Sequence, residues 1–408
     1  MSSKINTILV AAIDLGTNYS GYAFSFKHEY EKDPTRVSTG PMDSQKLFSF
    51  KCPTCVLCNP KGEFHSFGYV AEKKYSNLAK DKEEKKWYFF RRFKMVLYEK
   101  QVDVGLDVTD ENGLNMPARK IFAMAIRYIK DHLLQSLKKA GTGLGADEIH
   151  WVLPVPTIWT VSAKECLREA AKEAGIDKAL LTIVLECKAT AMCCQPHVNT
   201  GAKYVVIDLG DERVNVTVLN NESDRTIKVV STTSDNSIGG GKVDDAYNQI
   251  FIDLIGAQKF KKFCDENKDD YMKMLREFKI KIKSFKADSF ETVTAQLPSS
   301  LFNHLNKDAI EQSCYRGKII YMGDKLRIEA DLIRRLFDKT MNEIIKEVSS
   351  IIEKTGVQGS ASLLMVGGLS ECPLMQKAMR MAFPHNKVII PKITDSTELI
   401  GAVIFGHK

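Results

Sequence analysis

The sequence predicts an α/β protein built from two like halves, and three observations carry that prediction. The tetrapeptide Ile-Asp-Leu-Gly occurs twice, at Ile13 to Gly16 and Ile207 to Gly210, each time closing one apolar run and opening another. Strand-like runs alternate along the chain with segments of helical periodicity, the pattern of an α/β layer architecture. The small polar stretch "HVNTGAK" at 197–203 precedes the second tetrapeptide, so the halves read as 1–199 and 200–408. At 408 residues, the chain also exceeds the usual size of a single core.

The start, "MSSKINTILVAAID", has one lysine before a short apolar run that leads into an acidic residue. That suits a buried strand better than a cleavable export signal. Cys52, Cys55 and Cys58 have the spacing of a zinc knuckle, with His65 as a candidate fourth ligand. No second C-x-x-C accompanies them, and the flanking residues read as strand, turn and strand with buried thiols. "PARKIFAMAIRYIKDHLLQSLKKAG" predicts a helix with Pro117 in the first turn, a stripe of Phe122, Ile126, Ile129, Leu133 and Leu137, and a stop at Gly141. After the strand "IHWVLPVPTIW", Ser162 and Glu165 have capping-box spacing for a helix ending at Gly175. Leu332, Leu336, Ile344, Val348 and Ile351 mark a long helix feeding the strand Leu363 to Val366 and a glycine pair.

Composition narrows the function classes. With 44% apolar and 27% charged residues, and no apolar run near the roughly 18 to 20 residues that span a bilayer, the chain is expected to be soluble and not to enter a membrane. Ten cysteines, several in apolar stretches, read as reduced thiols of a cytoplasmic or nuclear protein. The net charge of +7, from 58 basic and 51 acidic residues, concentrates in "KKWYFFRRFK" (85–94) and "KIKIKSFK" (279–286). In the second, Leu275, Phe278, Ile282 and Phe285 recur at helical spacing, so the lysines read as the wet face of a helix and no nucleic-acid partner is expected.

The duplicated motif suggests the chemistry. A strand ending in Asp, followed by a tight glycine turn, lets backbone N–H groups approach a polyphosphate. Two such hairpins facing each other would clamp one nucleotide. Asp14 and Asp208 would then hold a hydrated Mg²⁺ through its waters.

"IDLGTNYSGYAF", "WVLPVPTIW", "VLECKATAMCC", "SIGGGKVDDAY" and "LLMVGGLSECP" occur in family order. Together they resemble the nucleotide-binding domain of the 70-kDa heat-shock proteins, within the actin and sugar-kinase superfamily. "GEFHSFGYVAEKKY" and "WYFFRRFKM" are most similar to the divergent heat-shock 70-kDa protein 12 branch. The resemblance covers the whole chain. It implies a two-lobed actin-like ATPase fold of duplicated ribonuclease-H-like domains, with four subdomains and a central nucleotide cleft. Inserted subdomains are expected at about 40–116 and 240–318, and no substrate-binding domain follows in this sequence.

The same resemblance implies an ATP or ADP site with Mg²⁺. Gly16, Thr17, Asn18 and Tyr19 match the first phosphate loop, and Asp14 its metal-side carboxylate. Lys94 matches a lysine beside the γ-phosphate and Glu186 an acid near the metal-bound water; Thr17 and Asp208 complete the implied catalytic set. Gly210, with Gly239, Gly240 and Gly241, matches the phosphate and ribose turns. Gly367, Gly368, Leu369, Lys283 and Asp395 match the adenosine side.

The second hairpin departs from the family, where two further glycines and a threonine follow the first glycine. Here Asp211, Glu212 and Arg213 stand in those places, and Asn215 replaces an acid. A non-glycine residue forced to positive φ costs roughly 1 to 2 kcal/mol. A carboxylate about 4 Å from a phosphate charge costs about 4 kcal/mol at an effective dielectric of 20. Arg213 either offsets this by bridging phosphate oxygens or pairs with Asp211 or Glu212 and closes the site. On the base side the family uses Glu, Lys and Arg on one helix and an Arg after the glycine pair. Glu371 takes the last position, and the helix offers Glu277 or Lys279 for the first role and 280–283 for the others.

The expected function is therefore an ATP- or ADP-binding, nucleotide-responsive domain with slow or impaired hydrolysis and an unidentified protein partner or client. The main alternative is an interaction module that no longer binds nucleotide. A sugar kinase would need an acceptor motif that the sequence does not display, and an actin-like filament former would reveal itself by light scattering.

Overall fold

A computed structural model describes residues 7–40, 42, 50–98, 105–194, 201–222, 226–392 and 394–408. Contacts divide the chain into two compact units, Met1–Asn199 with Ser396–Lys408, and Thr200–Asp395.

The centre of the first unit is the strand Leu9–Leu15, buried at every position. It pairs antiparallel with Tyr19–Phe26 and parallel with Ile149–Val155, which pairs parallel with Leu181–Leu185. Lys51–Pro53 extends the other side by pairing with Tyr19–Phe26. A near-continuous apolar run is what a strand covered on both faces requires. One face meets the helix Ala118–Lys139, whose predicted stripe of Phe122, Ile126, Ile129, Leu133 and Leu137 is buried. Each such side chain contributes roughly 1.5–3 kcal/mol. The next helix, Val161–Glu173, begins earlier than the Ser162 spacing suggests: Thr160 Oγ1 accepts from Ala163 N at 3.2 Å and is the cap.

The opposite face of this sheet is covered from the far end of the chain. Helix Thr397–Gly406 packs Leu399, Ala402 and Val403 against Val10, Ala12, Val152 and Val184. A Cβ on Gly401 would lie 1.7 Å from Ala189 O, so only glycine permits this approach to helix Glu186–Cys193. The sequence boundary assigned 200–408 to the second half. Its final segment belongs to the first unit, because this apolar helix finds its complementary face there.

The second unit repeats the sheet plan. Lys203–Leu209 pairs antiparallel with Val214–Asn221 and parallel with Ser362–Val366, which pairs parallel with Val388–Ile389; Ile227–Asp235 continues the antiparallel side. The long helix Ala330–Thr355 buries Leu336, Ile344, Val348 and Ile351 and ends at Gly356 in the left-handed conformation, φ 61°. In helix Lys268–Ser284 and at its cap, Phe278, Ile282 and Phe285 turn inward. The lysines between them form the polar side, as their spacing predicts.

The aromatic stretch near 88 forms the strand Tyr88–Arg91, with Phe89 and Phe90 buried. Cys52 and Cys58 join one core cluster and Cys55 another, on the other side of strand Cys55–Cys58. The three sulfurs therefore do not converge. Burial pushes the Cys55 thiol well up and the Cys58 thiol to about 11. Among the described residues no helix is long and apolar enough to cross a membrane.

Candidate functional site

In the first unit, the register pairs Asp14 with Gly21, and Gly21 in turn with Lys51. The turn Gly16, Thr17, Asn18, Tyr19 follows at the end of the strand. A Cβ on Gly16 would lie 2.3 Å from Tyr19 O, so the tightness of the turn requires glycine. Thr54 N donates to Asn18 O at 2.8 Å and braces it from behind. Asp14 is 3% exposed, and Lys51 Nζ donates to its Oδ2 at 2.8 Å.

Lys94 and Glu186, distant in sequence, form a buried ion pair with Nζ to Oε1 at 2.9 Å. Glu186 begins its helix, where a negative charge suits the positive end of the dipole. The Lys94 ammonium lies 5.6 Å from the centre of the Trp159 ring. Burial would lower the Lys94 pKa, but Glu186, Tyr98 and Asp14 outweigh it and hold the amine protonated well above its ordinary range. Burial likewise opposes ionisation of Asp14, yet Lys51 and Lys94 prevail and keep its carboxyl below the usual range. Thus Asp14, Lys94 and Glu186 assemble as one charged cluster, to which Lys51 is an addition that sequence spacing did not reveal.

In the second unit, Asp208 and Asn215 are register partners, and Asn215 pairs with Ser234 on the next strand. A chain of hydrogen bonds runs along this line. Asn215 Nδ2 donates to Asp208 Oδ2 at 3.1 Å, Ser234 Oγ to Asn215 Oδ1 at 2.6 Å, and Arg213 NH1 to Ser234 Oγ at 3.0 Å.

The altered turn is not strained. Among the described residues, the non-glycine residues at positive φ are Lys82 and Arg92, so the strain expected at Asp211, Glu212 and Arg213 is absent. Four residues close the turn in ordinary backbone conformations. Its carbonyls instead cap the helix Gly240–Ile255: Gly240 N donates to Gly210 O at 2.9 Å and Gly241 N to Asp211 O at 2.8 Å. These amides, expected to face phosphate, are committed to the turn. The glycines also have a packing reason, since a Cβ would lie 2.6 Å from Asp211 O at Gly239 and 2.8 Å from Asp211 Oδ1 at Gly240.

The Asp211 carboxylate is ion-paired with Lys279 at 3.0 Å, and Lys279 also meets Asp244 at 3.0 Å. One ammonium thus serves two carboxylates. Burial raises the Asp244 pKa to about 6 despite Lys279. Lys279 itself is held above its ordinary range, Asp211 and Asp244 outweighing its burial.

Lys283 pairs with Glu371 at 2.7 Å, and Thr394 Oγ1 donates to the same carboxylate. Gly367, at φ 86°, lies against the strand end, where a Cβ would meet Leu209 O at 2.6 Å and Asp208 Oδ1 at 2.8 Å. Gly368 begins a short 3₁₀ turn, Gly368–Glu371, and Leu369 is buried in the core. The Asp395 side chain lies outside the described residues.

Magnesium favours oxygen ligands and retains several waters. At Asp14 it would meet a carboxylate already engaged by an ammonium. Like charges 4 Å apart repel by about 4 kcal/mol per unit charge at an effective dielectric of 20. The surroundings of Asp14 do not fit a divalent ion.

The sequence profile described as Hsp70 protein matches residues 52–398. The chain belongs to the Hsp70 family, as a divergent form of its nucleotide-binding domain with the α/β actin-like ATPase fold. Among individual relatives, human heat shock 70 kDa protein 12B is 28% identical over 98% of this chain and 68% of its own length. Mouse heat shock 70 kDa protein 12A is 27% identical over 100% of the chain and 70% of its own. Chaperone protein DnaK of Mycoplasmopsis synoviae (strain 53) is 28% identical over 72% of the chain and 46% of its own.

Proposed function

We propose that this chain binds ATP or ADP and hydrolyses ATP slowly, as a nucleotide-responsive domain. Binding is supported by membership of the Hsp70 family; the observation that carries the slow turnover is the ion-paired carboxylate of Asp211 in the second turn, beside helix amides already bonded to turn carbonyls. The first turn is uncharged, and two lysines stand near the adjoining strand end, which favours phosphate. In this reading Gly16, Thr17, Asn18 and Tyr19 contact phosphate, with Lys94 and Glu186 flanking the bond that breaks. Asp208 takes part from the second strand end, and Lys283, Gly367, Gly368 and Asp395 contact the nucleoside.

Isothermal titration with ATP and ADP, paired with single-turnover hydrolysis, tests this. Heat of binding with turnover well below that of DnaK measured in parallel is expected. No heat with either nucleotide would overturn binding, and turnover equal to DnaK's would overturn impairment.

A second reading, an interaction module without nucleotide, is favoured by the Lys283–Glu371 pair on the nucleoside side. A chaperone-like role with a protein client is proposed only on the printed name of the DnaK relative. A reducing compartment, cytoplasm or nucleus, is part of the proposal on the strength of protonated buried thiols such as those of Cys58 and Cys187.

A further inference from the structure

Asp14, Gly21 and Lys51 lie on one line across three adjacent strands. Gly21 has no side chain, and the lysine uses that opening: a Cβ there would lie 3.1 Å from Lys51 Cγ and 2.7 Å from Phe50 O. The lysine stem therefore passes over the glycine and brings its ammonium to Asp14 Oδ2 at 2.8 Å. The neighbouring Lys94 is paired with Glu186. Each ammonium here thus has a carboxylate partner, Lys51 with Asp14 and Lys94 with Glu186.

We propose that Lys51 is a built-in counter-ion of Asp14, standing where a hydrated divalent cation would otherwise be needed, so that nucleotide binding by this chain does not depend on magnesium. The magnesium clause rests on the nucleotide-binding reading; the counter-ion itself does not. A lysine suits the role because it is a compact point charge on a flexible stem, able to face phosphate as readily as carboxylate. Strand register fixes its place, so the charge is preorganised before any ligand arrives.

The test has two arms on the full chain. In the first, ADP and ATP are titrated calorimetrically in excess MgCl₂ and in EDTA, for the wild type and Lys51→Met. The wild-type dissociation constant should differ by less than about threefold between buffers, whereas Lys51→Met should bind about tenfold more weakly in EDTA than in magnesium. A wild-type loss of tenfold or more in EDTA, or an unchanged magnesium dependence in Lys51→Met, overturns the proposal.

The second arm uses no nucleotide: urea midpoints are compared for Lys51→Met, Asp14→Asn and the double variant. Lys51→Met alone leaves Asp14 buried beside no lysine at position 51, so the double variant should lose less than the two single losses combined. Additive losses would overturn the counter-ion. Absence of heat in every titration would defeat the nucleotide-binding reading and the magnesium clause with it. The urea cycle would still decide the counter-ion.

Discussion

In the first hairpin the register joins Leu15 to Ser20 across Gly16, Thr17, Asn18 and Tyr19; in the second it joins Leu209 to Val214 across Gly210, Asp211, Glu212 and Arg213. The turns have equal length and follow equivalent strands, yet one is uncharged and the other carries three charges. Strand pairing and a leading glycine fix the backbone, and residues that the backbone does not constrain set the electrostatics. Each strand-end aspartate is also tied across its sheet by different means. Asp14 reaches Lys51 over a bare glycine, while Asp208 reaches Arg213 through an amide and a hydroxyl.

The largest effect that sharpens this contrast comes from the first unit. Glu186→Gln leaves the Lys94 charge buried without its carboxylate and should cost about 3–5 kcal/mol in urea unfolding. Asn215→Ala, which breaks the amide's bonds to the Asp208 carboxylate and the Ser234 hydroxyl without leaving a buried charge on the lost side chain's partner Ser234, should cost less, about 1.5–2 kcal/mol. Equal losses would show that the two ties do the same work.

Next comes the pH dependence of the shared ammonium. Asp244 has a folded pKa of about 6 against an ordinary value of 3.8. A raised folded value means that its contribution to stability is fully present below pH 3.8 and is lost as pH rises through about 6. At neutral pH, Asp244→Asn should therefore be more stable by about 2–3 kcal/mol, a figure in which the attraction of Lys279 for the ionised carboxylate is already included. The stability difference between variant and wild type should shrink between pH 6 and pH 4, as followed by urea unfolding. A pH-independent difference would break the reading of a carboxylate kept partly protonated by burial.

The glycine turns themselves give a smaller, direct comparison. A Cβ meets Tyr19 O at 2.3 Å in the first and Arg213 O at 2.9 Å in the second. Gly16→Ala should accordingly cost more than Gly210→Ala, by about 1 kcal/mol in denaturation midpoints converted to free energy. An effect of similar size is on ligand affinity: Asp211→Gly, which removes the carboxylate, should tighten ATP binding about tenfold in calorimetry, or about 1.4 kcal/mol. Unchanged affinity would mean that Lys279 already neutralises Asp211 completely.

Much of the fold was legible because periodicity and repetition are local signals. The stripe of Phe122 to Leu137 and the two Ile-Asp-Leu-Gly strands needed only short windows of sequence. The site was legible in part. Lys94 and Glu186 came from resemblance, and their pairing is a tertiary fact between residues 92 positions apart. Lys51 escaped notice because strand register, 37 residues from Asp14, puts it in place. The strain expected at Asp211 failed for a different reason: composition suggests what glycine could do in a turn, but only the backbone shows what the turn demands. The pairing of Lys279 with both Asp211 and Asp244 was likewise invisible in spacing, because it joins a helix to a turn and to another helix.

The helix Thr397–Gly406 has a consequence for biosynthesis. Val10 and Ala12 share a core with Leu399, Ala402 and Val403, which are made hundreds of residues after them. The contiguous unit Thr200–Asp395 has its whole core in hand before that helix is translated. Domains generally complete in order of synthesis, but in this nascent chain the half that is begun first must be finished last.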